Sequence, residues 1–120
     1  MAVSRKSLLG LAALILAVSA ANHWWASRHD ARLGAKLAAL AQPGDIRMVS
    51  SETCAPCRVA RLWLSEHRVP FGECLIERDA SCRATYDKHG APGTPLMIVR
   101  GQPQLGFSAE RLRAALQPKS

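Results

Sequence analysis

Cys54 and Cys57, separated by Ala55-Pro56, are the residues of this chain whose type and spacing suit chemistry. Two cysteines at that spacing close a small disulfide, and zinc sites use the same spacing. The flanking residues separate the two readings. The pair follows a strand-like run, Ile46-Arg47-Met48-Val49-Ser50, and precedes a helix-like stretch from Arg58 to Arg68. At a helix start, unpaired backbone N–H groups and the positive end of the dipole face the first sulfur. They favour thiolate over thiol, and the thiolate is the nucleophile of disulfide exchange.

A second pair, Cys74 and Cys82, falls in the next strand-like run and at the start of the following helix. Bridging requires Cα atoms within about 7 Å, which sequence does not set. A structural disulfide is the first expectation; it would restrain the unfolded chain by about 2–3 kcal/mol. Two separate buried thiols, or an auxiliary couple exchanging with Cys54 and Cys57, are the alternatives. All four cysteines could also form a four-thiolate zinc or iron–sulfur site, although Cys74 and Cys82 lack knuckle spacing. His23, His29, His67 and His89 are scattered at no ligand or catalytic spacing and are expected to face solvent. No metal site beyond the cysteines, Ser-His-Asp order, phosphate loop or paired-carboxylate site is present.

The elements that must position these residues begin after an N-terminal leader. Leu8 to Ala21 is an uncharged, almost wholly apolar run behind Arg5 and Lys6, and Trp24-Trp25 follow. Such a run is a membrane anchor or a signal segment. It is short for a spanning helix of about 20 residues, yet the tryptophans sit where an interfacial belt would lie. Residues 1–25 are therefore assigned to an anchor, with cleavage after Val18-Ser19-Ala20 as the alternative. The short basic leader places the N-terminus inside and the following domain in an oxidising, periplasm-like compartment, where disulfides persist. Ala26 to Leu40 is alanine-rich and helix-prone, with Leu33, Leu37 and Leu40 on one side, and Pro43-Gly44 ends it. Residues 26–44 are read as a helical spacer and 45–120 as one domain. The chain carries net charge +7, concentrated before Asp45. No aromatic-interleaved basic patch accompanies it, which argues against a nucleic-acid partner.

From Asp45 onward a strand is expected over Ile46–Ser51 and a helix over Cys54–Arg68. Val59, Leu62, Trp63 and Ala60 would form the buried face of that helix. A strand from Val69 to about Ile76 and a helix capped by Asp79 or Ser81 and running to Lys88 follow. A strand over Leu96–Arg100, a Gly101-Gln102-Pro103 turn and a strand over Gln104–Phe107 come next. Ser108 caps a last helix that places Leu112, Ala115 and Leu116 on one face and ends before Pro118. The order is β-α-β-α-β-β-α, an α/β fold whose first two strands pair in parallel through a right-handed crossover.

This order and four motifs resemble the glutaredoxin branch of the thioredoxin fold. The motifs are Ser51-Glu52-Thr53-Cys54-Ala55-Pro56-Cys57, Val69-Pro70-Phe71, Gly93-Thr94-Pro95 and Gly106-Phe107-Ser108-Ala109-Glu110-Arg111-Leu112. The resemblance implies that Cys54 is the attacking thiol, Cys57 the resolving thiol and Thr94-Pro95 a cis peptide beside them. It also implies substrate contacts at Thr53, Thr94, Pro95, Gly106, Phe107 and Ser108, the last three near a glutathione moiety. A cis X–Pro bond costs only about 0.5–1 kcal/mol over trans, and a helix start at Ser108 suits a carboxylate. The chain departs from the family at Ser50 to Thr53, where a lysine is common; Glu52 there would repel an anionic substrate. The buried acid that thioredoxins place in the first strand is missing here, since Met48 stands near that point.

The expected activity is thiol–disulfide exchange by a membrane-tethered oxidoreductase. It would need no cofactor, with glutathione as an eventual co-substrate, and its partners would be protein or small-molecule thiols and disulfides, with the membrane at the N-terminal segment. A four-cysteine metal module and a non-catalytic tethered binding domain are the alternatives.

Overall fold

The computed structural model describes residues 2–118. Helix α1 runs from Arg5 to Leu40 without a break. The chain divides into two compact units, residues 1–32 and 33–120. In the first, Leu8, Leu9, Leu11, Leu14, Ile15, Leu16 and Val18 are exposed side chains on a helix long and apolar enough to cross a membrane. Trp24 and Trp25 follow, with the Arg28 guanidinium 4.2 Å from the Trp24 ring centroid.

The second unit is built on a four-stranded sheet in the order β2-β1-β3-β4. Strand β1 covers Ile46–Ser50, β2 Gly72–Leu75, β3 Leu96–Val99 and β4 Gln102–Leu105. Helix α2, Ala55–Glu66, carries the chain from β1 to β2, and these strands pair in parallel with Val49 opposite Cys74. Helix α3, Ala80–Lys88, precedes β3, which is antiparallel to β1, and the β3–β4 hairpin leads into α4, Ala109–Leu116. The expected thioredoxin-type order is present; β1, β2, β3 and α2 are shorter than expected, α3 ends at Lys88 as expected, and β4 is shifted two residues towards the N-terminus.

Strand alternation splits the core in two. Ile46, Met48, Met97 and Val99 face one side, packed with Ala60 and Leu64 of α2, Leu112 and Leu116 of α4, and Leu33, Leu37 and Ala41 at the end of α1. Val49 and Leu96 face the other, with Cys82 of α3, Cys74 and Tyr86. Gly34 is where α1 closes on α2. A Cβ there would collide with the His67 ring, which lies tilted against Trp63 with centroids 4.1 Å apart and whose Nδ1 lies 2.8 Å from the Trp63 carbonyl. His67 is thus packed between helices, contrary to the solvent-facing position expected for it.

Two further expectations are corrected. The buried face of α2 is Cys57, Ala60 and Leu64, with Trp63 half-buried, whereas Val59 and Leu62 are 64% and 56% exposed. The apolar side chains between Ala55 and Leu64 exceed what one buried stripe holds, so periodicity alone chose the wrong pair. The last hairpin turns at Arg100-Gly101, both at positive φ (48° and 84°), so β4 starts at Gln102 and includes Pro103. Two successive positive φ values match the right-handed twist of the flanking strands. Arg100 is held in that conformation by Asp45 (3.2 Å) and the Leu116 carbonyl (3.2 Å).

Candidate active site

Cys54 sits at the junction of β1 and α2 in extended conformation and is the N-cap of α2. Its sulfur accepts a hydrogen bond from the Cys57 backbone N–H at 3.1 Å, occupying one of the helix-start donors that otherwise lack partners. Pro56 lies in the first turn, where no intrahelical N–H is needed. The two cysteines form a disulfide with Cα atoms 5.2 Å apart. Their accessibility differs: Cys54 is half-buried and Cys57 is fully buried. Only the first sulfur is open to an incoming partner, and the helix start offers it N–H donors and positive potential once reduced.

Two hollows flank the pair. One, of about 600 Å³, is an apolar groove between Ala55, Pro56 and Val59 of α2 and the loops carrying Thr94, Pro95, Gly106 and Phe107. The Thr94–Pro95 peptide is cis, and Pro95 is buried. The Pro95 carbonyl accepts from Gly106 N–H at 2.8 Å, which ties the two loops together. Gly106 has φ of 76°, a conformation that glycine adopts without strain. Phe107 is supported from behind by Trp63, centroids 5.6 Å apart. Val59, read from sequence as core, belongs to this groove.

The other hollow is polar and includes Thr53, Cys54, Arg58, Arg61 and Arg78. Arg61 donates to both Glu73 oxygens (2.8 and 2.6 Å), and Glu73 also accepts from Ser50 Oγ at 2.7 Å. The Arg61 hydrogen bonds hold the Glu73 carboxyl below the usual carboxylate range, and Glu73 in turn raises Arg61. Arg78 pairs with Glu52, so the carboxylate expected to repel an anionic substrate already has its counter-charge. Glu77 accepts from the Ser51 hydroxyl and from the Glu52 N–H at 3.1 Å; chiefly through Ser51, its carboxyl is held below the usual range. Arg58 is exposed and makes no ion pair among the described residues.

The residues named from sequence thus divide between the hollows. Thr94, Pro95, Gly106 and Phe107 line the apolar groove, Thr53 lines the polar one, and Ser108 lines neither. Ser108 is the N-cap of α4, its hydroxyl accepting from Arg111 N–H at 3.3 Å. Glu73, Glu77 and Arg78 went unnamed, because an acidic residue on an edge strand or turn gives no local sign of what it holds. Cys74 and Cys82 form a disulfide with Cα atoms 5.9 Å apart. Among the described residues no group of three or more His, Cys, Asp or Glu could hold a metal ion.

The fold is thioredoxin-like. The thioredoxin-like protein BC3987 superposes on this chain with a TM-score of 0.52 at 25% identity, over 59% of this chain and 99% of that one. A mutant form of the same protein gives a TM-score of 0.54 at 24% identity, over 61% and 95%. Neither a protein-family model nor a curated relative matches the chain. A thioredoxin-like fold with a Cys54–Cys57 pair at disulfide distance is consistent with redox activity.

Proposed function

We propose that this chain is a membrane-anchored thiol–disulfide oxidoreductase of the glutaredoxin-like type, with its domain facing the periplasm. The observation that carries the reading is the asymmetry of the pair: an accessible Cys54 sulfur at a helix start, beside an apolar groove, with Cys57 buried behind it. In the reducing direction, Cys54 thiolate attacks one sulfur of a substrate disulfide and the other leaves as thiolate. Cys57 thiolate then attacks the Cys54 sulfur and expels the second substrate thiol. Two electrons pass to the substrate, and the pair is left in the closed form seen here. The closed form runs the same steps backwards to oxidise a dithiol.

Among the described residues Thr94 makes no backbone hydrogen bond outside the strand ladders. It is suited to receive an extended substrate segment as an added strand while side chains enter the apolar groove. A protein disulfide fits that groove; glutathione would be a co-substrate approaching Gly106, Phe107 and the α4 start at Ser108. The apolar Leu8–Ala21 run supports the anchor, and Arg5 and Lys6 ahead of it support the outward-facing domain.

The test uses the full chain in detergent micelles, with a glutathione mixed disulfide and a protein disulfide as substrates. The wild-type chain is expected to reduce at least one, Cys54→Ser neither, and Cys57→Ser to accumulate a mixed disulfide through Cys54. A wild-type chain that reduces neither above background refutes the reading. Protection of the domain from protease in intact spheroplasts would reverse its orientation.

A further inference from the structure

The segment closed by the Cys74–Cys82 disulfide, residues 75–81, grips Ser50, Ser51 and Glu52 shortly before Cys54. Ile76 N–H donates to the Ser50 carbonyl at 3.0 Å. The Glu77 carboxylate accepts from the Ser51 hydroxyl and the Glu52 N–H. Arg78 pairs with Glu52. Just before the disulfide, Glu73 accepts from Ser50 and from Arg61 of α2. Ser51, Glu52 and Thr53 have no burial of their own to hold them, since Glu52 and Thr53 are exposed and Ser51 only half-buried. Their conformation decides whether Cys54 keeps the N-cap geometry that aims its sulfur at the Cys57 N–H.

We propose that the Cys74–Cys82 disulfide is a positioning device: by fixing the Ile76–Arg78 turn it holds the Ser51–Thr53 approach, and so sets the reactivity of Cys54. Glu77 and Arg78 are positioning residues that touch the approach and not the reacting sulfurs. The proposal rests on the exchange activity proposed above. It has a signature that a purely stabilising disulfide lacks. Replacing both cysteines by alanine changes no charge, so any rise in the Cys54 thiol pKa reports lost geometry. Removing the Glu77 carboxylate would, by charge alone, lower that pKa; loss of the grip raises it.

The experiment compares full-length wild type, C74A/C82A and E77A in micelles. Cys54–Cys57 is opened with limiting dithiothreitol, and Cys54 alkylation by iodoacetamide is followed against pH. Peptide mapping confines the wild-type and E77A measurement to molecules in which Cys74–Cys82 stays closed. Both variants are expected to show a raised Cys54 pKa and alkylation slowed about threefold below that pKa, where reactivity follows the thiolate fraction. A folded C74A/C82A with the wild-type profile overturns the proposal, as does an E77A with an unchanged or accelerated profile. If C74A/C82A does not fold, E77A alone decides, because Glu77 lies exposed outside both cores. A wild-type chain that exchanges with no disulfide fails the underlying reading; one that exchanges while both variants match it fails only the positioning role.

Discussion

Leu37→Ala tests whether the end of α1 is part of the core of the thioredoxin-like unit. Leu37 is fully buried on the face shared by Met48, Leu64, Met97 and Leu112. Truncation removes three carbons from packed surroundings, a transfer cost of roughly 2 kcal/mol at about 0.8 kcal/mol per methylene. The cavity adds to it, and core Leu→Ala changes span about 2–5 kcal/mol. Relaxation is restricted here, because Gly34, one turn earlier, is already against His67 with no room for a Cβ. The expected loss is therefore about 3 kcal/mol or more, a large part of the roughly 5–15 kcal/mol that holds an ordinary domain together. Guanidinium unfolding of the full chain in micelles measures it, followed by Trp63 fluorescence in a Trp24→Phe/Trp25→Phe background. Lys36→Ala, an exposed neighbour on the same helix, is the control and should stay within about 0.5 kcal/mol. If Leu37→Ala behaves like Lys36→Ala, the helix end is a spacer and its packing against α2 contributes nothing to the fold.

Val59→Asp puts a charge into the apolar groove at a 64% exposed position; stability should barely change, while kcat/KM for a protein disulfide falls about fivefold or more and that for a small disulfide holds, as steady-state assays would show. Ser108→Ala removes the α4 cap and should cost about 1 kcal/mol in chemical denaturation. Glu73 has a folded-state pKa lowered chiefly by the Arg61 hydrogen bonds. Its stabilising contribution is therefore present above the unfolded carboxylate pKa of about 4.3 and lost as pH falls through the lower folded value. Glu73→Gln should remove that part of the acid dependence, so denaturation midpoints of the two proteins converge towards low pH; midpoints that stay parallel would refute the assignment.

How much of this was legible in the sequence depended on the range of the interaction concerned. The junction of Ile46–Ser50 with Cys54-Ala55-Pro56-Cys57 announces a strand feeding a helix start, because β-branched and apolar runs, a proline in the first turn and helical periodicity act over a few residues. The Asp79 and Ser108 caps were readable for the same reason, each side chain reaching an N–H two or three residues on. Val59 and Leu62 were misread because α2 has more apolar side chains than one face can bury. Which of them face the sheet depends on how the helix is rotated against Met48 and Met97. The β3–β4 turn was misplaced because Arg100, not a glycine, takes the first positive φ, held by Asp45 fifty-five positions away.

By itself, then, the sequence determined the order of elements and the place of the Cys54–Cys57 pair at a helix start, both consequences of short-range chemistry, while the thioredoxin-like class came from the resemblance of its motifs. It also marked Leu8–Ala21 as an apolar segment of membrane type by composition. Only the tertiary structure decided that Cys74 joins Cys82 and that Leu33 and Leu37 enter the core. It alone brought Val59 to the groove, and Glu73, Glu77 and Arg78 to the residues ahead of Cys54. Those outcomes require strand register, the parallel β1–β2 crossover and helix rotation to be set together. A carboxylate on an edge strand has no local trace of the serine it will meet across that crossover.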